Sequence, residues 1–370
     1  MQFVDLKRQY DEYKTEIMAE IQQVLDTTAF INGPAVKELE AQLARHTGVK
    51  HAIGCASGTD ALVLGMMALD IKPGDEVILP DFTFIATAET VALLGAFPVF
   101  ADIRPDTYNI DPESIRAAVT DKTVGIIPVS LYGQIADMDE INAIAATHNL
   151  WVMEDGAQSY GATYKGKTSG TLSQIGTTSF FPAKPLGAYG DAGAIFTNDD
   201  ELASRLRMIL NHGQRKRYDH AVIGLNARLD TIQAAVLKVK LKYFDAEVAQ
   251  RQKVADQYTA AFRDAKNIVT PTILDHNTSA WAQYTIRIPN RSAVQAALTE
   301  QGIPTAVHYP IPLHKQDAFA AHAQAGIEVP HTEKAAAEVM SLPMHPFLTK
   351  TDVTQVAEAV KQAVKDTNRG

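Results

Sequence analysis

The sequence predicts a doubly wound α/β unit with a mostly parallel central sheet, followed by a smaller C-terminal α+β unit. Three observations point to it. From about residue 34 to 200, short apolar runs alternate with amphipathic stretches of helical period, the pattern of strands joined by crossover helices. Residues 229–265 then form one long stretch rich in Ala and Lys, with no Gly or Pro. Beyond it the chain changes to an alternating segment and further helices. At 370 residues, two domains are the default expectation. The boundaries read from the pattern are 1–228, a connecting helix over 229–265, and 266–370.

Taken in order, Pro34 opens a helix that Gly48 ends, the usual Pro-first, Gly-last asymmetry. A strand over 51–56 runs into Ser57-Gly58-Thr59-Asp60 and a helix starting near Ala61. Further strands are expected at 76–79, 98–101, 123–129, 151–154, 177–181 and 194–197. The 229–265 helix either bridges two domains or lines a subunit interface. After it come an alternating segment at 284–288, a short helix from Ser292 and a terminal helix from Asp352. Residues 109–111 and 271–277 read as loops.

Composition removes several classes of function. A net charge of -9 argues against nucleic acid as a partner, because phosphate neutralisation needs clustered Lys and Arg. The single cysteine, Cys55, excludes a disulfide framework, a multi-cysteine zinc site and a cysteine-ligated iron–sulfur cluster. The first residues, MQFVDLKRQYDEYKTEI, are charged and amphipathic and lack the apolar core of a signal peptide. No apolar run approaches the ~20 residues that span a bilayer. A cytoplasmic protein with neither a metal nor a membrane partner is therefore expected.

Four segments could carry chemistry. Ser57-Gly58-Thr59 lies between a strand and a helix, where glycine allows close approach and the helix start offers free N–H groups to a phosphate. A plain helix cap by Ser57 or Thr59 explains the same residues. Asp155, in Glu154-Asp155-Gly156-Ala157-Gln158, falls at the end of a strand, where open α/β sheets place their ligands. A carboxylate there can keep a pyridinium nitrogen protonated, with Gln158 beside the ring hydroxyl; the alternative is a turn cap. Lys184 sits in Ser179-Phe180-Phe181-Pro182-Ala183-Lys184-Pro185-Leu186-Gly187, an apolar neighbourhood that favours the neutral amine needed for Schiff-base chemistry. Most lone lysines are merely solvated. Finally, Phe82 or Phe84, in Pro80-Asp81-Phe82-Thr83-Phe84, could stack on a flat ring or simply fill the core.

In order along the chain, CASGTDAL, DFTFIATAET, PVSLYGQ, MEDGAQSYGA, SFFPAKPLGAYGDAGAI, NARLDTIQAAVL and VHYPIPLHKQ resemble the DegT/StrS-type sugar aminotransferases. These are a branch of the fold-type-I pyridoxal-phosphate (PLP) enzymes, and the resemblance spans essentially the whole chain. It implies that Lys184 carries the cofactor and shuttles the proton, with Asp155 at the pyridine nitrogen and Gln158 beside the ring hydroxyl. Gly58, Thr59 and Ser179 match phosphate ligands, and Phe84 the aromatic over the ring. Asn226 matches a residue that reaches the cofactor phosphate of a neighbouring subunit, which implies a homodimer with shared sites. Ala227 departs from the serine of many relatives, with little consequence expected.

Three segments, SFFPAKPLGAYGD, TAVHYPIPLHKQ and VMSLPMHPFL, resemble more closely the subgroup that aminates C3 of UDP-2-acetamido-2-deoxy-3-oxo-glucuronic acid in O-antigen assembly. That resemblance implies a UDP-sugar acceptor, L-glutamate as donor and 2-oxoglutarate as product. Arg228 is the expected grip on the uronate carboxylate, with His308 and Tyr309 as further sugar contacts. For Arg228, pairing with Asp230 or capping the next helix is the structural alternative. Amination of another keto-hexose, a pyridoxamine-dependent dehydration and a regulator without turnover are the competing functions. Lys184 and the lone Cys55 count against the dehydratase, and intact Lys184 and Asp155 count against the regulator.

Overall fold

The computed structural model describes residues 1–322, 324 and 326–367. Its centre is a seven-stranded sheet: β1 (His51–Cys55), β2 (Glu76–Pro80), β3 (Phe97–Ala101), β4 (Thr123–Ile126), β5 (Trp151–Asp155), β6 (Ile175–Ser179) and β7 (Gly193–Thr197). The spatial order is β1-β7-β6-β5-β4-β2-β3. Only β7 runs against its neighbours, pairing antiparallel with both β1 and β6. The expected mostly parallel sheet is present, and all seven strands overlap the apolar runs that predicted them.

Two of the boundaries that differ from expectation do so for local reasons. The fourth strand stops at Ile126 rather than 129, because Pro128 has no N–H to give to a ladder. Its carbonyl still accepts from the Asp155 N–H at 2.9 Å, and Val129 makes only an isolated bridge to Asp155. The helix expected near Ala61 begins earlier, at Gly58, because the Ser57 hydroxyl accepts from the Asp60 N–H and caps it.

Helices α1 (Leu6–Thr27), α2 (Pro34–Thr47), α3 (Gly58–Ala68), α4 (Ala86–Leu93), α5 (Pro112–Ala118), α6 (Met138–His148) and α7 (Asp200–Ile209) accompany the sheet. The long α8 (Thr231–Phe262) replaces the predicted 229–265 stretch and serves two cores. Its first half puts Ala234, Leu237 and Phe244 against the sheet side with Phe180 and Phe196. Its second half puts Val254, Tyr258 and Phe262 into a separate cluster with Tyr284, Ile286, Met340 and Val360. Truncating a wholly buried ring such as Phe244 to Ala would cost about 3–5 kcal/mol.

The second cluster is built by β8 (Tyr284–Arg287) paired antiparallel with β9 (Val339–Leu342), and by α9 (Arg291–Glu300) and α11 (Lys350–Thr367); α10 (Pro330–Glu338) leads into β9. This is the α+β pattern expected of the C-terminal part. Among the described residues, no helix is long and apolar enough to cross a membrane.

Candidate active site

The carboxyl ends of β1, β2, β5 and β6 open onto one cleft of about 500 Å³. Sheet register explains the convergence. Asp155, the last residue of β5, pairs with Thr177 of β6, so Ser179 lies two residues further along the same edge. Ser179 and Cys55 both pair with Gly193, which sets the ends of β1 and β6 on either side of the start of β7. Gly58 follows there, and a Cβ on it would lie 2.6 Å from the Ser179 Cβ. Only glycine allows this approach. The Gly58 and Thr59 N–H groups lie in the unsatisfied first turn of α3, and Gly58, Thr59 and Ser179 all line the cleft. The cap and the open helix start therefore coexist.

Asp155 is buried at 5% exposure and accepts from the Thr87 hydroxyl at 2.9 Å and from the Ala157 N–H at 3.1 Å. Burial pushes its carboxyl above the usual range; the two hydrogen bonds and the nearby Lys184 charge oppose that shift. The neighbouring Glu154 points to the other face of the sheet, where Ser130, Ser169 and the Gly170 N–H hold it. Lys184 lines the cleft from the turn after β6. Its backbone N–H donates to the Phe181 carbonyl at 2.8 Å. Burial lowers its amine below the ordinary lysine value, with Asp155 opposing.

Gln158 is buried; its Oε1 accepts from the Tyr132 N–H at 2.8 Å, and its Nε2 donates to the Tyr309 hydroxyl at 3.2 Å. Of the two candidate aromatics, Phe84 lines the cleft at 53% exposure, while Phe82 is 1% exposed and packs in the core. An extended strand would put residues two apart on one face; the chain bends over residues 81–83 instead, and the two rings part. His308 and Tyr309 form the facing wall. His308 meets the Ser341 hydroxyl through Nδ1 at 2.9 Å, and burial pushes its imidazole down to about 4.

The sequence of the DegT/DnrJ/EryC1/StrS aminotransferase family matches residues 11–361. The chain belongs to this family. A UDP-2-acetamido-2-deoxy-3-oxo-D-glucuronate aminotransferase of Pseudomonas aeruginosa is 55% identical over 97% of this chain and 99% of its own length. A Geobacillus stearothermophilus protein named a pleiotropic regulatory protein is 49% identical over 97% of both. The crystal structure of S. venezuelae DesV in complex with a ketimine intermediate superposes with a TM-score of 0.96, at 38% identity over 98% of each chain. The protein is thus an aminotransferase, and the cofactor of its family is PLP.

Two of the residues that the family resemblance singled out stand apart from this cleft. Asn226 is exposed and bridges to Asn211, and neither it nor Arg228 lines the cleft of its own chain. Arg228 pairs with neither Asp230 nor the next helix; its Nη1 donates to the Asn211 side chain at 2.7 Å, and its buried Nε has no partner among the described residues. Thr87, Asp191 and Gln283 line the cleft without having been anticipated. Thr87 and Asp191 fall within the DFTFIATAET and SFFPAKPLGAYGDAGAI segments, whereas Gln283 lies in none of the quoted segments.

Proposed function

We propose that the chain transfers an amino group from L-glutamate to C3 of a UDP-linked 3-oxo-sugar, with UDP-2-acetamido-2-deoxy-3-oxo-glucuronic acid as preferred acceptor, in building a surface-polysaccharide precursor. The observation that carries this reading is the convergence of Lys184, Asp155, Gln158 and the α3 start in one cleft, in a chain 55% identical to an enzyme named for that acceptor.

The residues fit PLP. Gly58, Thr59 and the Ser179 hydroxyl offer donors to its phosphate. Asp155 would keep the pyridine nitrogen protonated, Gln158 would donate to the ring hydroxyl, and Phe84 would be the aromatic beside the ring. When bound, the protonated ring supplies an electron sink for the pair left when the amino acid loses its Cα proton. Lys184 does the proton work in both halves. Its amine, lowered by burial, takes the proton from glutamate and later delivers one to C3 of the sugar. The paired apolar cores of α8 support a division near 229–265 into a cofactor unit and a smaller unit.

Asn226 and Arg228 serve the site of a partner subunit in this reading. Exposed apolar residues near them support a homodimer: Val222, Ile223, and Phe30 beside Ile31, which bridges to Asp230. Arg228 then grips the uronate carboxylate, with His308 and Tyr309 against the sugar. The regulator reading gains nothing from the structure, since Lys184 and Asp155 both face the cleft.

The test is spectroscopic. Purified holoenzyme should absorb in the visible, glutamate should bleach the band, and the UDP-3-oxo-uronate should restore it. A band that glutamate leaves intact defeats the aminotransferase reading, and one restored only by neutral keto-sugars defeats the acceptor. For the dimer, mixing Lys184→Ala and Asn226→Ala proteins should recover activity through hybrid sites. Proven subunit exchange without recovery would place Asn226 outside its partner's site.

A further inference from the structure

A segment from the C-terminal part crosses to the end of β2 and is fastened there by a buried pair. Asp81 has no exposed surface. The His314 N–H donates to its Oδ1 at 2.7 Å, and His314 Nδ1 lies 2.5 Å from its Oδ2. The Leu313 N–H adds a bond to the Asp81 carbonyl at 3.0 Å. Burying a carboxylate is costly unless it is fully paired, and Asp81 does not line the cleft. The proton transfers above make no use of it.

Its neighbours show what the pair joins. Thr83 and Phe84 follow Asp81 and form one wall of the cleft; His308 and Tyr309 precede His314 and form the other. The crossing segment is anchored at both ends. At the first, His308 meets the Ser341 hydroxyl, and its carbonyl accepts from the Tyr132 hydroxyl. At the second stands His314 on Asp81. Pro310 and Pro312 restrict the backbone between. Tyr309 is strung between the anchors, its ring centroid 6.0 Å from that of Phe84 and 6.3 Å from that of Phe82.

We propose that Asp81 and His314 are positioning residues: touching neither substrate nor cofactor, they set the spacing between the Phe84 and Tyr309 walls and so the fit of the sugar. This rests on the keto-sugar reading above. A clamp that served stability alone would weaken both half-reactions together.

His314→Ala and His314→Asn in the holoenzyme separate these cases, since asparagine keeps an N–H near the place of Nδ1. In the alanine variant, KM for the UDP-3-oxo-uronate should rise about tenfold. The glutamate half-reaction, read by bleaching, should stay within about threefold of wild type. Hydrogen exchange should quicken over residues 309–316 and not over the sheet. The asparagine variant should recover most of the KM. An unchanged sugar KM, an equal loss in both halves, or unchanged exchange over 309–316 would overturn the proposal. If wild type itself fails to aminate the sugar while glutamate bleaches it normally, the acceptor reading falls, and the exchange measurement alone decides the clamp.

Discussion

At the cofactor end of the cleft, the walls are strand ends and helix starts of one sheet: Gly58 after β1, Asp155 closing β5, Ser179 closing β6. At the substrate end, the wall is a single extended segment around Tyr309, hung between Ser341 and Asp81. The first end gains its rigidity from backbone ladders whose register leaves little freedom. The second depends on a few side-chain bonds, each individually modest. Under the proposed function, the chemistry common to the family would sit on the rigid end, and acceptor choice on the end that can be re-strung.

That contrast can be tested by single changes. Lys184→Ala, at the rigid end, should remove all but a trace of turnover while cofactor binding stays measurable, because the phosphate and ring contacts remain; equilibrium binding and a steady-state assay check both halves of the statement. Asp155→Ala should slow both half-reactions by roughly ten- to two-hundred-fold, the worth of a charge-assisted hydrogen bond, with a smaller loss of cofactor affinity. Wild-type rates there would remove Asp155 from the mechanism.

In the proposed dimer Arg228 would serve the other end from the partner subunit, and Arg228→Ala should be lopsided. We expect at least about a tenfold loss in kcat/KM for the uronate, with the glutamate half-reaction less affected. An equal loss in both would mean that Arg228 reads the donor.

His308 gives the stability of the fold a dependence on pH. Its folded pKa, about 4, lies below the ordinary 6.5, and His345 is displaced in the same way by burial. Unfolded chains therefore bind these protons more tightly. The stability gained by keeping both rings neutral is complete above about pH 6.5 and is lost as the pH falls through 6.5 toward 4. Urea midpoints measured across that window should drop, and His345→Gln should flatten the slope. A midpoint independent of pH between 4 and 6.5 would contradict the burial argument.

Thr87→Val carries the smallest expected effect. It removes one hydroxyl from Asp155, worth about 1 kcal/mol, or roughly fivefold in rate. A much larger loss would show that the rigid end also leans on single side-chain bonds.

Much of this was legible before any coordinates. Alternation of apolar runs and helical stretches gave the sheet, because a strand or helix must present its apolar face at its own period. Lys184 among Phe and Pro, Asp155 at a strand end and Gly58 at a helix start are local signals, each readable within a few residues. Other features had no local trace. Phe82 and Phe84 looked equivalent until the backbone after β2 turned one inward and the other to the cleft. Arg228 had a nearby carboxylate in Asp230, yet its partner is Asn211.

The sequence by itself determined the sheet strands, the long helix and the residue types at their ends, since periodicity, capping and Pro or Gly punctuation act over a few residues, whereas α10 and β9 lie outside the elements it predicts. Tertiary structure decided which of those ends meet. The β7 reversal sets the ends of β1 and β6 on either side of its start, and the Asp81–His314 pair joins residues 233 positions apart. Such contacts follow from strand order and from loops closing over long stretches of chain, which no short pattern encodes.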